Sequence, residues 1–131
     1  MISRNIRRIL AEIEGNIESM DMIKLLKDLD KLNRELLKVE GRQRYIINLI
    51  DMGNRDILRK EITDFDFVIL RTNTELAGRI LRYMKVIIEM KYPDETIYGR
   101  KIDIKRVKQK DLMDWYVWLK DILKEMVHYG S

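Results

Sequence analysis

Between Met22 and Val39 the apolar residues fall at Met22, Leu25, Leu29, Leu32, Leu36 and Val39, in spacings of three and four without interruption. Only an α-helix brings such positions onto one face. The run covers about two and a half heptads, too short for a free-standing coiled coil, so it predicts a helix packed in a bundle. Lys24–Asp28, Asp30–Arg34 and Lys31–Glu35 stand four residues apart on its outer side, pairs that add a few tenths of a kcal/mol each. Gly41 ends this helix or kinks it, since Tyr45, Ile46, Leu49 and Ile50 continue an apolar face.

The remainder of the chain reads the same way. Ser3 is placed to cap a first helix carrying Ile6, Ile9, Leu10, Ile13 and Ile17, with a break near Ser19. Met52, Gly53 and Asn54 form a turn: Gly for a left-handed C′ position, Asn as the next N-cap. A third helix is expected from about Arg55 to Lys91, with a weak point at Thr63–Asp64, stopped by Tyr92, Pro93 and Asp94. Residues 93–102 read as a loop containing Gly99. A fourth helix starts near Asp103 or Asp111 and runs to Tyr129, with Leu112, Trp115, Leu119, Ile122 and Met126 inward. The expectation is all-α: one domain over residues 1–131, a four- to five-helix bundle with short connections.

The stretch from Asp64 to Lys91 carries more apolar surface than one face needs. Phe65, Val68, Ile69, Leu76, Ile80, Tyr83, Ile87 and Met90 form one stripe. Leu70, Ala77, Leu81, Met84 and Ile88 form a second, about a third of a turn away. Two stripes place the helix in the middle of a bundle or against another molecule. On the last helix, Val117 falls among Lys124 and His128, and Trp118 beside Asp114 and Glu125, both off the core face. Trp is an enriched interface anchor. Leu70, Leu81, Met84, Ile88, Val117 and Trp118 are therefore the expected self-association residues.

Composition narrows the classes. Apolar residues make up 46% and charged residues 37% of the 131, which excludes a disordered chain. The longest unbroken apolar run, Trp115 to Leu119, is far below the ~20 residues of a membrane span. Arg4, Arg7 and Arg8 lead into an amphipathic pattern, not the apolar core of a signal peptide. There is no cysteine, which removes disulfides, thiolate metal sites and cysteine nucleophiles. High charge with two Gln and no Cys fits a protein made for heat, although eight Met run against that and an AT-rich genome gives similar usage.

Catalysis is hard to assemble. The three serines, Ser3, Ser19 and Ser131, lie near helix ends or the terminus, and the lone histidine is His128. A Ser–His–acid site needs an oriented imidazole. No glycine-rich phosphate loop or dinucleotide fingerprint occurs. Glu125 and His128 have the Glu-x-x-His spacing of di-iron bundles, but that site needs two such motifs, and this chain has one histidine. Asp64 and Asp66 fit a cap or helix start. No enzyme, metal, cofactor or small-molecule substrate is expected.

The one concentrated charge feature is Arg100, Lys101, Lys105, Arg106, Lys108 and Lys110, six basic residues in eleven, opposed by Asp103. The first 66 residues balance 13 basic against 13 acidic side chains, so the net +4 lies wholly in the second half. Such a cluster neutralises phosphates, and Tyr92 and Tyr98 before it can stack on bases. Its alternative is a solvated helix start. Arg4, Arg7 and Arg8 are a second basic group, with Arg8 expected to pair with Glu12.

In length, absence of cysteine, Ile/Lys/Tyr-rich usage and all-helical pattern, the chain resembles the small coat proteins of tailed, spindle-shaped viruses of hyperthermophilic archaea. The resemblance spans the chain and carries no motif. It implies a helical bundle repeated in a virion shell, located in the virion or host cytoplasm, with a basic surface toward DNA or RNA. The 37% charge departs from the longer apolar helices such a coat would have. The small helical subunits of CRISPR effector complexes are also similar, which implies an accessory nucleic-acid binder. The expected function is a non-enzymatic homo-oligomeric assembly protein, with the accessory binder as alternative.

Overall fold

The computed structural model describes residues 2–91, 95–97, 100–102 and 108–130; for 90, 91 and the two strands it describes the backbone. Among the described residues six helices form: α1 (Ile2–Glu18), α2 (Met22–Asp51), α3 (Arg55–Glu61), α4 (Asp64–Arg71), α5 (Thr74–Lys91) and α6 (Gln109–His128). The class is all-α as the periodicity predicts, but the count exceeds four or five. Two three-residue strands, β1 (Glu95–Ile97) and β2 (Arg100–Ile102), pair antiparallel where a plain loop was expected.

The four long helices close a ring in which α1 touches α2, α2 touches α5, α5 touches α6 and α6 touches α1. Each neighbouring pair runs antiparallel. Asn16 meets Asp28 and Glu12 meets Lys31 between α1 and α2. Thr74 meets Gln43 and Lys85 meets Asp30 between α5 and α2. The amide of Gln109 donates to the carbonyls of Ile17 and Glu18, and the Tyr116 hydroxyl reaches Glu14, which sets α6 against α1. This is an up-down-up-down bundle with α3 and α4 inserted between its second and third long helices.

Local chemistry accounts for the breaks. Both α1 and α2 end with the paired backbone bonds of a Schellman motif. Gly53 occupies the left-handed position after α2 at φ +67°, as its sequence context predicts. Met20 occupies the same position after α1 at φ +55°, where a Cβ carries a steric cost. Gly41 neither ends nor interrupts α2. The expected helix over 55–91 divides into three. Asn54 caps α3, and Thr63 caps α4 through a reciprocal capping box with Asp66. Asn73 accepts from the Leu76 N–H at the start of α5. Cap residues at 63 and 73 outweigh the continuous apolar pattern, because each satisfies helix-end N–H groups that an unbroken helix would not expose. Ser3 is not a cap. It lies inside the first turn, buried, with no hydrogen-bond partner for its hydroxyl among the described residues.

One core unites all four long helices and Ile69 of α4. Its α6 contribution is Leu112, Tyr116, Leu119, Leu123, Met126 and Val127. Trp115 and Ile122, expected inside, sit at its edge, and Tyr116 and Leu123 replace them. The helix is therefore rotated by a fraction of a turn toward α1. Surface pairing also differs from the i,i+4 expectation. Lys24 pairs with Asp21, Lys31 with Glu12 and Asp28, Lys38 with Glu35, and Asp30 with Lys85 of α5. Glu12 thus takes Lys31 in place of Arg8, because a neighbouring helix offers a second cation across the groove.

Candidate association surfaces

The expected association stripe on α5 is core. Leu81, Met84 and Ile88 are each at most 1% exposed, closed in by the chain's own helices. A ring helix touches neighbours on two sides as well as the centre, and that position alone consumes a wide apolar arc. Leu70 lies on α4, half-buried, and does not continue that stripe. Val117 and Trp118 are exposed as their wheel positions predict, Trp118 at 52%.

The surface around Trp118 extends onto α5. Tyr83 is 55% exposed and meets Trp115 edge-to-face, with ring centroids 5.6 Å apart. Trp118 is one turn beyond Trp115, and the exposed Val86 is one turn beyond Tyr83. The α5–α6 seam thus carries an aromatic strip in which Tyr83 and Trp118 are exposed and the half-buried Trp115 joins them, with Val86 alongside. Tyr83 belongs to the stripe expected inside; Ile80 of that stripe is buried and Leu76 and Ile87 are half-buried, so the core takes in the second stripe and only part of the first. No periodicity distinguishes them, since which one faces in depends on where α6 docks.

A second apolar surface lies at the far end of α2. Ile47 and Ile50 are 45% and 51% exposed, and Met52 and Ile57 are exposed nearby in sequence. Sequence reasoning saw the apolar face continue past Gly41 but not that its cover stops.

Most of the basic cluster lies outside the described side chains. Lys108 and Lys110 are exposed at the start of α6. Arg100 and Lys101 lie on β2, whose backbone alone is described. Lys105, Arg106, Tyr92 and Tyr98 lie outside the described residues. Arg4, Arg7 and Arg8 are exposed, but Gln109 joins α1 at its opposite end, about 15–20 Å away along the helix axis.

A groove between α1 and α2 is lined by Glu12, Gly15, Asn16, Asp28 and three lysines. Burial pushes the Asp28 carboxyl above its ordinary range, and the hydrogen bond and charge of Glu12 push it further. The Asn16 amide donates to it, and Lys31 stands 3.6 Å away, so the oxygens of Asp28 are occupied by the chain itself. A raised folded-state pKa contributes stability below the ordinary carboxylate value, and that contribution is lost as pH rises through the raised one. Asp28→Asn should therefore be more stable than the parent near neutral pH, the gain vanishing below about pH 4. Urea midpoints at the two pH values check this, and a loss of stability at neutral pH contradicts it.

Among the described residues no three His, Cys, Asp or Glu side chains gather as a metal site would require. Glu125 pairs with Arg71 of α4 at 3.3 Å, and His128 is exposed. No helix among them is long and apolar enough to cross a membrane. No protein-family model matches the chain, and neither a characterised protein nor a solved structure is significantly similar to it.

Proposed function

We propose that this chain is a non-enzymatic subunit that associates with further copies of itself through the α5–α6 seam. The observation that carries the reading is the pair of exposed rings Tyr83 and Trp118, joined by the half-buried Trp115, at the surface of a helix pair whose inner face is already filled. Large aromatic side chains half in water are the usual anchors of protein contacts, since they bury much area at little entropic cost. Leu81, Met84 and Ile88 act indirectly, by holding α5 and α6 at the spacing that presents the strip. A virion shell is the assembly the chain's size and composition resemble, and a self-associating helical subunit meets its basic requirement.

Trp118→Asp tests this. The variant should weaken association by about thirtyfold or more, the effect of truncating a hot-spot tryptophan. The folded monomer should lose only about 1 kcal/mol, because half of the ring is already in water. Sedimentation of the variant beside the parent, with thermal melts of both, separates the two effects. Unchanged association would reject the seam.

A further inference from the structure

We infer that the end of α2 is a second contact between copies, an antiparallel two-fold pairing of α2 with α2. This deepens the self-association reading but uses a face remote in sequence from the seam.

The α5-facing side of α2 runs through Leu32, Leu36, Gln43, Ile47 and Ile50, in helical steps of three, four and seven. Up to Gln43 it is covered by α5. There the cover stops, since Thr74, the first residue of α5, donates its hydroxyl to the Gln43 side chain at 2.9 Å. The Gln43 amide in turn donates to the carbonyls of Ile69 and Thr72. Beyond this point α2 continues for two turns. Its back is occupied: Ile46 and Leu49 are buried, and Arg42 and Tyr45 bond to Glu61 at the end of α3. Its front, with Ile47 and Ile50, faces water. A core-type face thus outlasts the core.

The charges beside it name the occupant. Arg44 and Asp51 flank the isoleucines on one side, both exposed, and neither has an ion pair or side-chain hydrogen bond among the described residues. They are seven residues apart, about 10 Å along the axis, too far to meet within one helix. The order along the face is basic, apolar, apolar, acidic. Reversed, that order is its own complement. Turning a second α2 end over on the first sets Ile47 against Ile50 and Arg44 against Asp51, each twice, because same-flank residues face each other in an antiparallel helix pair. Asp51 is otherwise poorly placed, since a carboxylate in the last turn of a helix opposes the helix dipole. The contact is small. Together with the seam it gives each chain two different contacts with its own kind, enough to build an assembly larger than a dimer.

The test uses Arg44→Asp and Asp51→Arg, separately, combined in one chain, and as an equimolar mixture of the two single variants, with mass followed by sedimentation. Each single variant alone sets like charges together and should associate roughly tenfold more weakly than the parent. The double variant and the mixture both restore unlike pairs and should recover association. Asp51→Arg should melt no lower than the parent, since it suits the dipole. Single variants that associate like the parent, or a mixture that stays as weak as its components, would overturn the α2 contact. Neither result touches the seam, which Trp118→Asp tests independently.

Discussion

Leu81→Asp is expected to unfold this protein rather than to dissociate it. Leu81 is 1% exposed and faces the centre of the four-helix ring between Ala77, Met84 and Ile88. The substitution removes a buried leucine, a loss of about 2–5 kcal/mol by itself. It also places a carboxylate where no cation or donor can reach it, and an unpaired buried charge adds several kcal/mol more. The total is comparable to the ~5–15 kcal/mol that holds a domain of this size together. Met84→Lys should behave alike. The helical circular dichroism signal should fall at ambient temperature, and Leu81→Ala should retain it with a lower urea midpoint. A fully helical Leu81→Asp that merely runs at lower mass would return this residue to an interface and contradict the core described above.

The second large effect is expected at Arg42. Its guanidinium forks onto Asp66, with Nε 2.9 Å from Oδ1 and Nη2 3.0 Å from Oδ2, and it also donates to the Glu61 carbonyl at 3.1 Å. Asp66 is buried, and its Oδ2 also accepts from the Thr63 N–H at 2.8 Å in the capping box of α4. One arginine therefore ties α2 to both inserted helices. The hydrogen bond from Arg42 holds the Asp66 carboxyl below its ordinary range, against the opposing effect of burial and with help from the Thr63 N–H. Arg42→Ala leaves that carboxylate enclosed without a countercharge and should cost about 3 kcal/mol at neutral pH. The sign with pH follows from the lowered value. The contribution of Asp66 is present above the ordinary carboxylate pKa of about 3.9 and is lost as pH falls through the depressed one. The parent should therefore lose stability below about pH 4, and Arg42→Ala should show a shallower acid limb. Urea titrations over that range measure both, and a variant within ~0.5 kcal/mol of the parent would show the pair to be a surface decoration.

Both effects bear on what can be read from sequence. The a/d run of α2, the turn at Gly53 and the outward position of Trp118 are properties of local spacing, and local spacing is printed in the chain. The choice between the two apolar stripes of α5 is not. Leu81 faces in and Tyr83 out because α6 docks on one flank of α5, and that docking joins residues thirty or more positions apart. Arg42 and Asp66 likewise meet across 24 residues and through the two caps at Thr63 and Asn73 that divide the long helix. Thr63 stood out as a weak point and Asn73 did not, and the apolar pattern running through both argued for continuity. The α2 end was half legible: Tyr45, Ile46, Leu49 and Ile50 extend a recognisable face, and only the position of Thr74 reveals that Ile47 and Ile50 stay exposed among the described residues.

These placements make one claim about the molecule: its interior is complete, and the apolar groups outside it serve contacts between copies. Light scattering of the unmodified chain over a wide dilution series tests that most directly. The account predicts a mass above that of the 15.8 kDa monomer that falls on dilution while the helical signal stays constant. A mass fixed at the monomer value up to the solubility limit, with Trp118 and Ile50 still in water, would contradict it.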